Sequence, residues 1–209
     1  MIIDMHVHEL NGSLDSRLSI EEAIREAEEK NIDGLCFTDH DSLYLRKHIK
    51  EYQGRTNVLL IVGVEIYTLD GDLLCYGIDE LPPKRMGAKE TIEFVHARGG
   101  VCIAAHPYRN NNRGLRDKIV SLDALDAIEV LNGRTLPVNN KMAYNKARQK
   151  KLRQCGGSDA HQIGEIGKMV THFNSQISNE LDFLNAIRSG QFYPIALESE
   201  EHMTTQKVI

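Results

Sequence analysis

The sequence predicts a single α/β domain whose parallel sheet is covered by helices or closed into a barrel. Short apolar runs alternate along the 209-residue chain with amphipathic helical patterns, and this alternation is typical of βαβ units. Most of the runs are apolar at every position, which indicates strands buried on both faces. Polar residues of the metal-ligand type follow several runs at their C-terminal ends, which is the functional edge of α/β folds.

Seven apolar runs are predicted to form strands. They are Ile2–His6, Gly34–Thr38, Val58–Tyr67, Leu73–Ile78, Val101–Ala105, Ala127–Leu131 and Gln154–Ser158, the last being the weakest pattern.

Four helices are predicted around these strands. Ser19 and Glu22 form a capping box that begins the first helix. The second covers about residues 88–98 and ends before two glycines, the third covers about residues 138–153, and the fourth runs from Ser178 to Gly190.

The composition is that of one folded domain. Hydrophobic residues make up 41% and charged residues 26%, which provides a sizeable core and argues against disorder. The 30 acidic and 25 basic residues give a net charge of -5, which disfavours tight, sequence-independent binding to duplex nucleic acid. We expect the domain to cover residues 1–198 and a polar tail to cover residues 199–209.

The cysteines and the N-terminus predict a soluble, cytoplasmic protein. Cys36, Cys75, Cys102 and Cys155 form no C-x-x-C motif, and most lie between apolar neighbours, as buried free thiols do in a reducing compartment. The first residues lack a basic segment followed by a long apolar one, so no signal peptide is predicted. No run approaches the ~18 apolar residues that a membrane span needs, so no membrane association is expected.

The pair His6 and His8 is the first metal-type motif. A strand has a period of two, so both imidazoles point to the same face. Two imidazoles on one face suit Zn²⁺, Mn²⁺ or Fe²⁺. Taken alone, the pair is explained equally well by hydrogen bonds to Asp4 and water.

Further acidic and histidine residues strengthen the metal hypothesis. His40 lies between Asp39 and Asp41, and a neighbouring carboxylate can orient a ligand imidazole. Glu65 lies in an otherwise apolar stretch, where an ionised carboxylate needs a cation or a network of donors. His106 follows a strand of small apolar residues.

Asp159 and His161 repeat the two-residue spacing after the last predicted strand. Five strands therefore deliver candidate ligands to one edge of the sheet. A catalytic zinc-type site uses about three protein ligands, so this larger set predicts two or three divalent ions, with Glu65 as a bridge.

Five motifs in this order resemble the polymerase-and-histidinol-phosphatase (PHP) family of metal-dependent phosphoesterases. They are DMHVH at 4–8, TDHD at 38–41, GVEI at 63–66, AHPYR at 105–109 and GSDAH at 157–161. The resemblance spans about residues 1–190. It implies a PHP-type, distorted (β/α)₇ TIM-like barrel with a site for two or three metal ions at the C-terminal ends of the strands.

The resemblance also implies a ligand set. It assigns His6, His8, Glu65 and Asp159 to one ion, Glu65 and His106 to a second, and His40 and His161 to a third. Asp15 and Asp72 are two further candidate ligands. Many family members have a histidine where this chain has Asp72, which changes the expected affinity and preference for the second ion.

The predicted activity is hydrolysis of a phosphate ester by in-line attack of a metal-bound hydroxide, with Glu65, Asp159 and Arg109 as catalytic residues. Arg109 follows His106 closely and could grip a phosphate oxygen, and Arg113, Arg116 and Arg134 are substitutes for it. The expected substrate is a nucleotide, an oligonucleotide or a small phosphomonoester. No oligomeric state is predicted.

Two other functions remain open from the sequence. An amidohydrolase-like enzyme also uses H-x-H on a barrel, and a non-catalytic, metal-binding partner subunit would need the same ligands. A basic stretch from Leu136 to Gln154 contains no acidic residue. We interpret it as a solvated outer helix in preference to a nucleic-acid-binding face, since no aromatic stripe accompanies the charges.

Overall fold

Nine strands form one sheet with the order β7-β6-β5-β4-β3-β2-β1-β8-β9 in the computed structural model, which describes residues 1–197. The strands are β1 (Ile2–Val7), β2 (Gly34–Phe37), β3 (Leu59–Tyr67), β4 (Asp72–Tyr76), β5 (Val101–Ala104), β6 (Ala127–Asn132), β7 (Gln154–Gly157), β8 (Met169–Phe173) and β9 (Phe192–Ala196). The predicted domain boundary at residue 198 and the tail 199–209 lie outside the described residues.

The sheet nearly closes into a barrel because β7 and the loop after it lie against β1. The backbone N–H of Asp159 donates to the His6 carbonyl at 2.7 Å, and the backbone N–H of His8 donates to the Ala160 carbonyl at 2.9 Å. The buried Asp4 carboxylate accepts from the Ser158 N–H at 2.9 Å on the same seam. The predicted barrel of seven strands is confirmed, and β8 and β9 extend the sheet beyond β1.

The prediction of a purely parallel sheet is wrong for β4. This strand is antiparallel to β3 on one side and to β5 on the other. Only Thr68–Gly71 links β3 to β4, and a parallel connection needs a dozen or more residues. The start of β4, at Asp72, consequently lies at the same barrel mouth as the ends of the parallel strands.

Two strands were not predicted. β8 pairs antiparallel with β1, and β9 pairs antiparallel with β8 at the sheet edge. β8 contains the polar pair Thr171 and His172, and β9 contains Pro194, which weakens the apolar pattern. A proline is tolerated in β9 because it is an edge strand.

Helices surround the sheet at the expected places. They are α1 (Ile20–Glu29), α2 (Ile49–Gln53), α3 (Ala88–His96), α4 (Pro137–Lys150) and α5 (Glu180–Ser189), with 3₁₀ helices at Tyr44–Lys47 and Arg116–Ser121. Four of the five α-helices match the predictions, and the short α2 was missed. The capping box is present, because Ser19 and Glu22 each accept from the other's backbone N–H. Asn179, not Ser178, caps α5.

The outer surface of α4 is basic, while Asn140, Ala143 and Ala147 are buried. No helix within residues 1–197 is both long and apolar enough to cross a membrane.

The barrel interior is divided between an apolar floor and a polar mouth. Inward-facing residues such as Met5, Leu74 and Tyr76 pack with Phe183 of α5 to form the floor. All four cysteines are buried free thiols, as predicted. The polar residues of the motifs lie above this floor, where the strands end.

We predict that Gly157→Ala lowers the free energy of unfolding by about 2–3 kcal/mol, because overpacking of this size is typical where two strands approach closely. A Cβ atom at Gly157 would lie 2.5 Å from the His6 Cβ and 3.0 Å from the His6 nitrogen. Urea unfolding of the chelator-treated protein measures the effect.

Gly54→Ala is the matched control. Its added Cβ would meet nothing closer than 3.7 Å, and Gly54 has a φ of -67°. This variant should be unchanged or more stable by up to about 1 kcal/mol, since alanine restricts the unfolded chain. Equal stability of the two variants would contradict the close approach of β1 and β7.

Candidate metal centre

His6 and His8 project from β1 to the same side, as the strand period predicts. Both residues are fully buried, and their Nε2 atoms lie 3.0 Å apart. Their Nδ1 atoms point away from each other, toward Glu129 at 3.0 Å and Ser13 at 3.1 Å respectively. The two Nε2 atoms therefore face the centre of the mouth together.

Glu65, near the end of β3, contacts imidazoles through both carboxylate oxygens. Its Oε1 lies 2.8 Å from His106 Nε2, and its Oε2 lies 2.9 Å from His40 Nδ1. The same Oε2 lies 3.5 Å from His6 Nε2 and 3.4 Å from His8 Nε2. Glu65 is thus placed between several candidate ligands, as a bridging carboxylate would be.

Asp159 completes the innermost group from the loop after β7. Its Oδ1 lies 3.6 Å from His6 Nε2 and 3.4 Å from His8 Nε2. Asp159 has a φ of +58°, and His106 has a φ of +27°. Such conformations are costly for residues with side chains and cluster at functional sites.

A second group lies nearer to solvent. The Oδ2 atom of Asp15 is 3.4 Å from Nε2 of both His40 and His161. The rings of these two histidines each lie 4.3 Å from the His8 ring. Asp15 itself is 60% exposed, so it closes this group from the outside.

Asp72 enters the site because β4 runs in the opposite direction from its neighbours. Its Oδ2 lies 3.9 Å from His106 Nε2 and 2.6 Å from Arg113 Nε. All nine candidate ligands therefore meet at one mouth: His6, His8, Asp15, His40, Glu65, Asp72, His106, Asp159 and His161. Within them, four groups could hold an ion, namely His6-His8-Glu65, His6-His106-Asp159, Glu65-Asp72-His106 and His8-His40-His161.

The spacing of the innermost donor atoms fits a metal ion. The Nε2 atoms of His6 and His8 lie 3.0 Å apart, and Glu65 Oε2 and Asp159 Oδ1 each lie 3.4–3.6 Å from both of them. An ion bound at about 2.1 Å from four tetrahedral donors separates those donors by about 3.4 Å. Each of the two carboxylate oxygens is therefore spaced from the two imidazoles as a shared ion would require.

The charge balance of the centre also calls for cations. Four carboxylates are almost completely buried there, and two guanidinium groups contact them. Buried charge that is left unpaired is strongly destabilising, so these carboxylates need positive partners. Although burial lowers the pKa of the His6 imidazole, three of the carboxylates raise it well above its usual value. The carboxylates are Glu65, Asp72, Glu129 and Asp159, and the guanidinium groups are Arg109 and Arg113.

The protonation states of Glu65, Asp159 and His8 match those of metal ligands. Although burial raises the pKa of Glu65, the imidazoles of His6 and His106 hold it well below its usual range. Burial also raises the pKa of Asp159, and His6 and His8 more than offset this, so the pKa again falls well below its usual range. Burial lowers the pKa of His8 to about 3, which keeps the imidazole neutral and able to bind a metal.

Glu129 and Asn132 on β6 support the centre and were not predicted as site residues. Glu129 Oε1 lies 3.0 Å from His6 Nδ1, and its Oε2 accepts from the His106 N–H at 2.7 Å. Asn132 donates to Glu129 at 3.1 Å and to Asp159 at 3.2 Å. Glu129 is acidic within an apolar run, which is the same signal that singled out Glu65.

The prediction that Asp39 or Asp41 orients the His40 ring is wrong. Asp39 accepts from the Ser13 hydroxyl at 2.8 Å, and that hydroxyl contacts His8 Nδ1. Asp41 accepts from the Tyr67 N–H at 3.0 Å. Asp39 therefore acts on His8 through Ser13, a pairing that sequence adjacency does not reveal.

Arg109 lies beside the centre, as predicted. Its guanidinium donates to Asp159 Oδ2 and to Asn132 Oδ1, the latter at 2.7 Å. Arg113 contacts Asp72 on the other side, whereas Arg116 donates to Asn110 at 3.2 Å. Arg134 adds positive charge near His161. Arg109 and Arg113 are thus the two arginines in contact with candidate ligands.

Two comparisons of the sequence with known proteins found similarity. The PHP-associated family model, PHP_C, matches residues 137–192. The uncharacterized protein MJ1587 of Methanocaldococcus jannaschii is 32% identical over 157 residues, covering 70% of this chain and 91% of that protein.

Three solved structures share the fold. A proposed metal-dependent phosphoesterase from Bifidobacterium adolescentis has a TM-score of 0.67 at 17% identity, covering 88% of this chain and 95% of that one. An amidohydrolase from Chromobacterium violaceum, with bound sulfate, has a TM-score of 0.66 at 17% identity, covering 88% and 96%. The lesion-specific endonuclease PfuEndoQ from Pyrococcus furiosus has a TM-score of 0.67 at 15% identity, covering 90% of this chain and 56% of its own.

At these identities the solved structures show the fold alone. The family model and the ordered motifs show that the chain belongs to the PHP family. Its donor set contains groups of side chains that could hold metal ions.

We predict that Glu129→Gln lowers the pKa of His6 in chelator-treated protein. Burial lowers the pKa of His6, but the carboxylates of Asp159, Glu129 and Glu65 raise it well above its usual value. Removing one of these charges should therefore make the imidazole easier to deprotonate, and NMR titration of the histidine side chains measures the change.

Glu26→Gln is the control, because Glu26 is also a buried glutamate but pairs with Lys30 on α1. An unchanged His6 pKa in Glu129→Gln, or an equal fall in both variants, would remove Glu129 from its supporting role.

Proposed function

We propose that the protein is a phosphoesterase that uses two or three divalent ions to hydrolyse a phosphate ester. The observation that carries this proposal is the position of Glu65, whose two oxygens contact different imidazoles and can serve neighbouring ions. Adjacent ions suit an in-line displacement at phosphorus because they can offset charge on both the attacking and the leaving oxygen.

Each candidate group has a role in this proposal. His6, His8, Glu65 and Asp159 would hold one ion. The group around His106 and the group around His161 would hold others. When bound, such ions lower the pKa of a coordinated water and stabilise charge on phosphate oxygens. The mixture of imidazole and carboxylate donors suits Zn²⁺, Mn²⁺ or Fe²⁺.

The protein's own side chains orient these groups and the substrate. Glu129 holds the His6 ring through Nδ1, and Ser13 holds the His8 ring in the same way, so both rings present Nε2 to the centre. Arg109 lies at the mouth with its guanidinium anchored on Asn132 and Asp159. In this proposal it donates to a phosphate oxygen of the bound substrate.

The substrate class in this proposal is a nucleotide, a short oligonucleotide or a small phosphomonoester. The fold shared with a lesion-specific endonuclease supports a nucleic-acid substrate, and the fold shared with a proposed phosphoesterase supports phosphate esters in general. The amidohydrolase with the same fold favours hydrolysis of an amide as the second candidate. Assays on cyclic amides alongside phosphate esters separate the two.

We predict that chelation abolishes hydrolysis and that Mn²⁺ or Zn²⁺ restores it. Glu65→Gln should lower kcat/KM by at least about 100-fold, because even residues that only support metal ligands cost 10–100-fold when removed. A panel of phosphomonoesters and short oligonucleotides, with metal analysis of each variant, measures both effects.

The control is again Glu26→Gln, which removes a buried carboxylate outside the mouth. Full turnover without metal, or full activity of Glu65→Gln, would contradict the proposed function. A metal-loaded wild-type protein that hydrolyses no phosphate ester would favour the non-catalytic alternative.

We predict that Arg109→Ala lowers kcat/KM by about 10- to 100-fold, the loss expected when a charge-assisted hydrogen bond to substrate is removed. The number of bound ions should not change, because Asp159 faces the histidines with Oδ1 and Arg109 with Oδ2. Steady-state kinetics and metal analysis separate the two effects.

Arg98→Ala provides the comparison, because the Arg98 guanidinium pairs with Glu80 on the surface. If kcat/KM of Arg109→Ala equals that of Arg98→Ala, Arg109 does not bind the substrate.

A further inference from the structure

The guanidinium of Arg113 contacts one of the candidate metal groups, Glu65-Asp72-His106. Its Nε donates to Asp72 Oδ2 at 2.6 Å, and its Nη2 lies 3.4 Å from His40 Nδ1. Asp72 Oδ2 is also the oxygen 3.9 Å from His106 Nε2. The positive charge of Arg113 therefore contacts the same oxygen that faces the Glu65-Asp72-His106 group.

The position of Arg113 is fixed by its surroundings. Its carbonyl accepts from the Asp72 N–H at 2.7 Å, and its guanidinium lies 4.6 Å from the centre of the Tyr67 ring. Gly71, with a φ of +147°, allows this close approach, since a Cβ there would lie 2.6 Å from the Leu115 nitrogen. Arg113 is thus held at Asp72 by main-chain and side-chain contacts together.

The two arginines of the centre use their aspartates differently. Arg109 donates to Asp159 Oδ2 and leaves Oδ1 facing His6 and His8. Arg113 instead donates to Asp72 Oδ2, which is the oxygen that faces the candidate ligand His106. A cation fixed beside this carboxylate neutralises it and repels a second cation that approaches the same oxygen.

Asp72 keeps the capacity to bind an ion when the guanidinium is absent. Its Oδ1 is buried and has no hydrogen-bond partner among residues 1–197. Glu65 Oε1 and His106 Nε2, 2.8 Å apart, are the other donors of the group. The donors of an ion site are therefore present, and Arg113 supplies the charge that an ion would bring.

We propose that Arg113 is a built-in cation that weakens divalent-metal binding at the Glu65-Asp72-His106 group relative to the His6-His8-Glu65-Asp159 group. The inference rests on the proposed function, because it concerns the same metal centre. It predicts that the centre holds its ions with unequal affinity, the weakest at Asp72.

The test is a calorimetric titration of metal-free protein with Mn²⁺, together with a count of bound ions. In Arg113→Ala, the weakest-bound ion should bind at least about tenfold more tightly, since a like charge a few ångströms away has been removed. Arg113→Lys keeps the positive charge and should bind nearer to the wild type. Arg85→Ala is the matched control, because Arg85 lies on the Tyr67 ring but donates to the Thr68 carbonyl instead of Asp72.

A double variant assigns the gain to Asp72. Asp72→Asn should abolish the added affinity in the Arg113→Ala background. If Arg113→Ala binds every ion as the wild type does, or more weakly, the inference is overturned while the proposed function stands. If neither protein binds a divalent ion, both fail. Equal tightening in Arg85→Ala would also overturn the specific role of Arg113.

Discussion

One buried carboxylate, that of Glu65, organises the barrel mouth. Its two oxygens lie within 3.5 Å of imidazole nitrogens from four histidines, which come from β1, from the residue directly after it, and from the loops after β2 and β5. Water cannot solvate a carboxylate that is only 1% exposed. The surrounding chain therefore has to supply positive charge and hydrogen-bond donors. The pairing of β2 with β3 brings His40, in the loop after β2, beside this side chain.

The loop after β5 sets the electrostatics of the mouth. It carries Arg109 at one end and Arg113 at the other, and each guanidinium contacts a different aspartate. Arg109 contacts Asp159 Oδ2 and leaves Oδ1 free to face the histidines. Arg113 contacts Asp72 Oδ2, the oxygen that itself faces His106. One loop thereby gives the two sides of the centre different charge, which is a simple way to make neighbouring metal positions unequal.

Much of this arrangement could be predicted from the sequence. Two-residue spacing placed His6 and His8 on one face, and acidic residues in apolar runs identified Glu65. The direction of β4 was missed because an apolar run does not indicate the direction of a strand. The short link Thr68–Gly71 does indicate it, because it is too short for a parallel connection. Contacts such as Arg113 with Asp72, which lie 41 residues apart, leave no local pattern. The same holds for Asp39, whose partner Ser13 lies in another loop.

The seam between β1 and β7 has a consequence for how the protein forms. Asp4 and Ser158 are 154 residues apart in the chain, yet their hydrogen bond helps to close the barrel. Such high contact order slows folding because a long loop must be closed before the contact forms. During synthesis, the histidines of β1 therefore emerge well before Asp159 does, and the last acidic donor arrives only as the barrel closes. Under the proposed function, metal binding would therefore be coupled to the closure of the barrel.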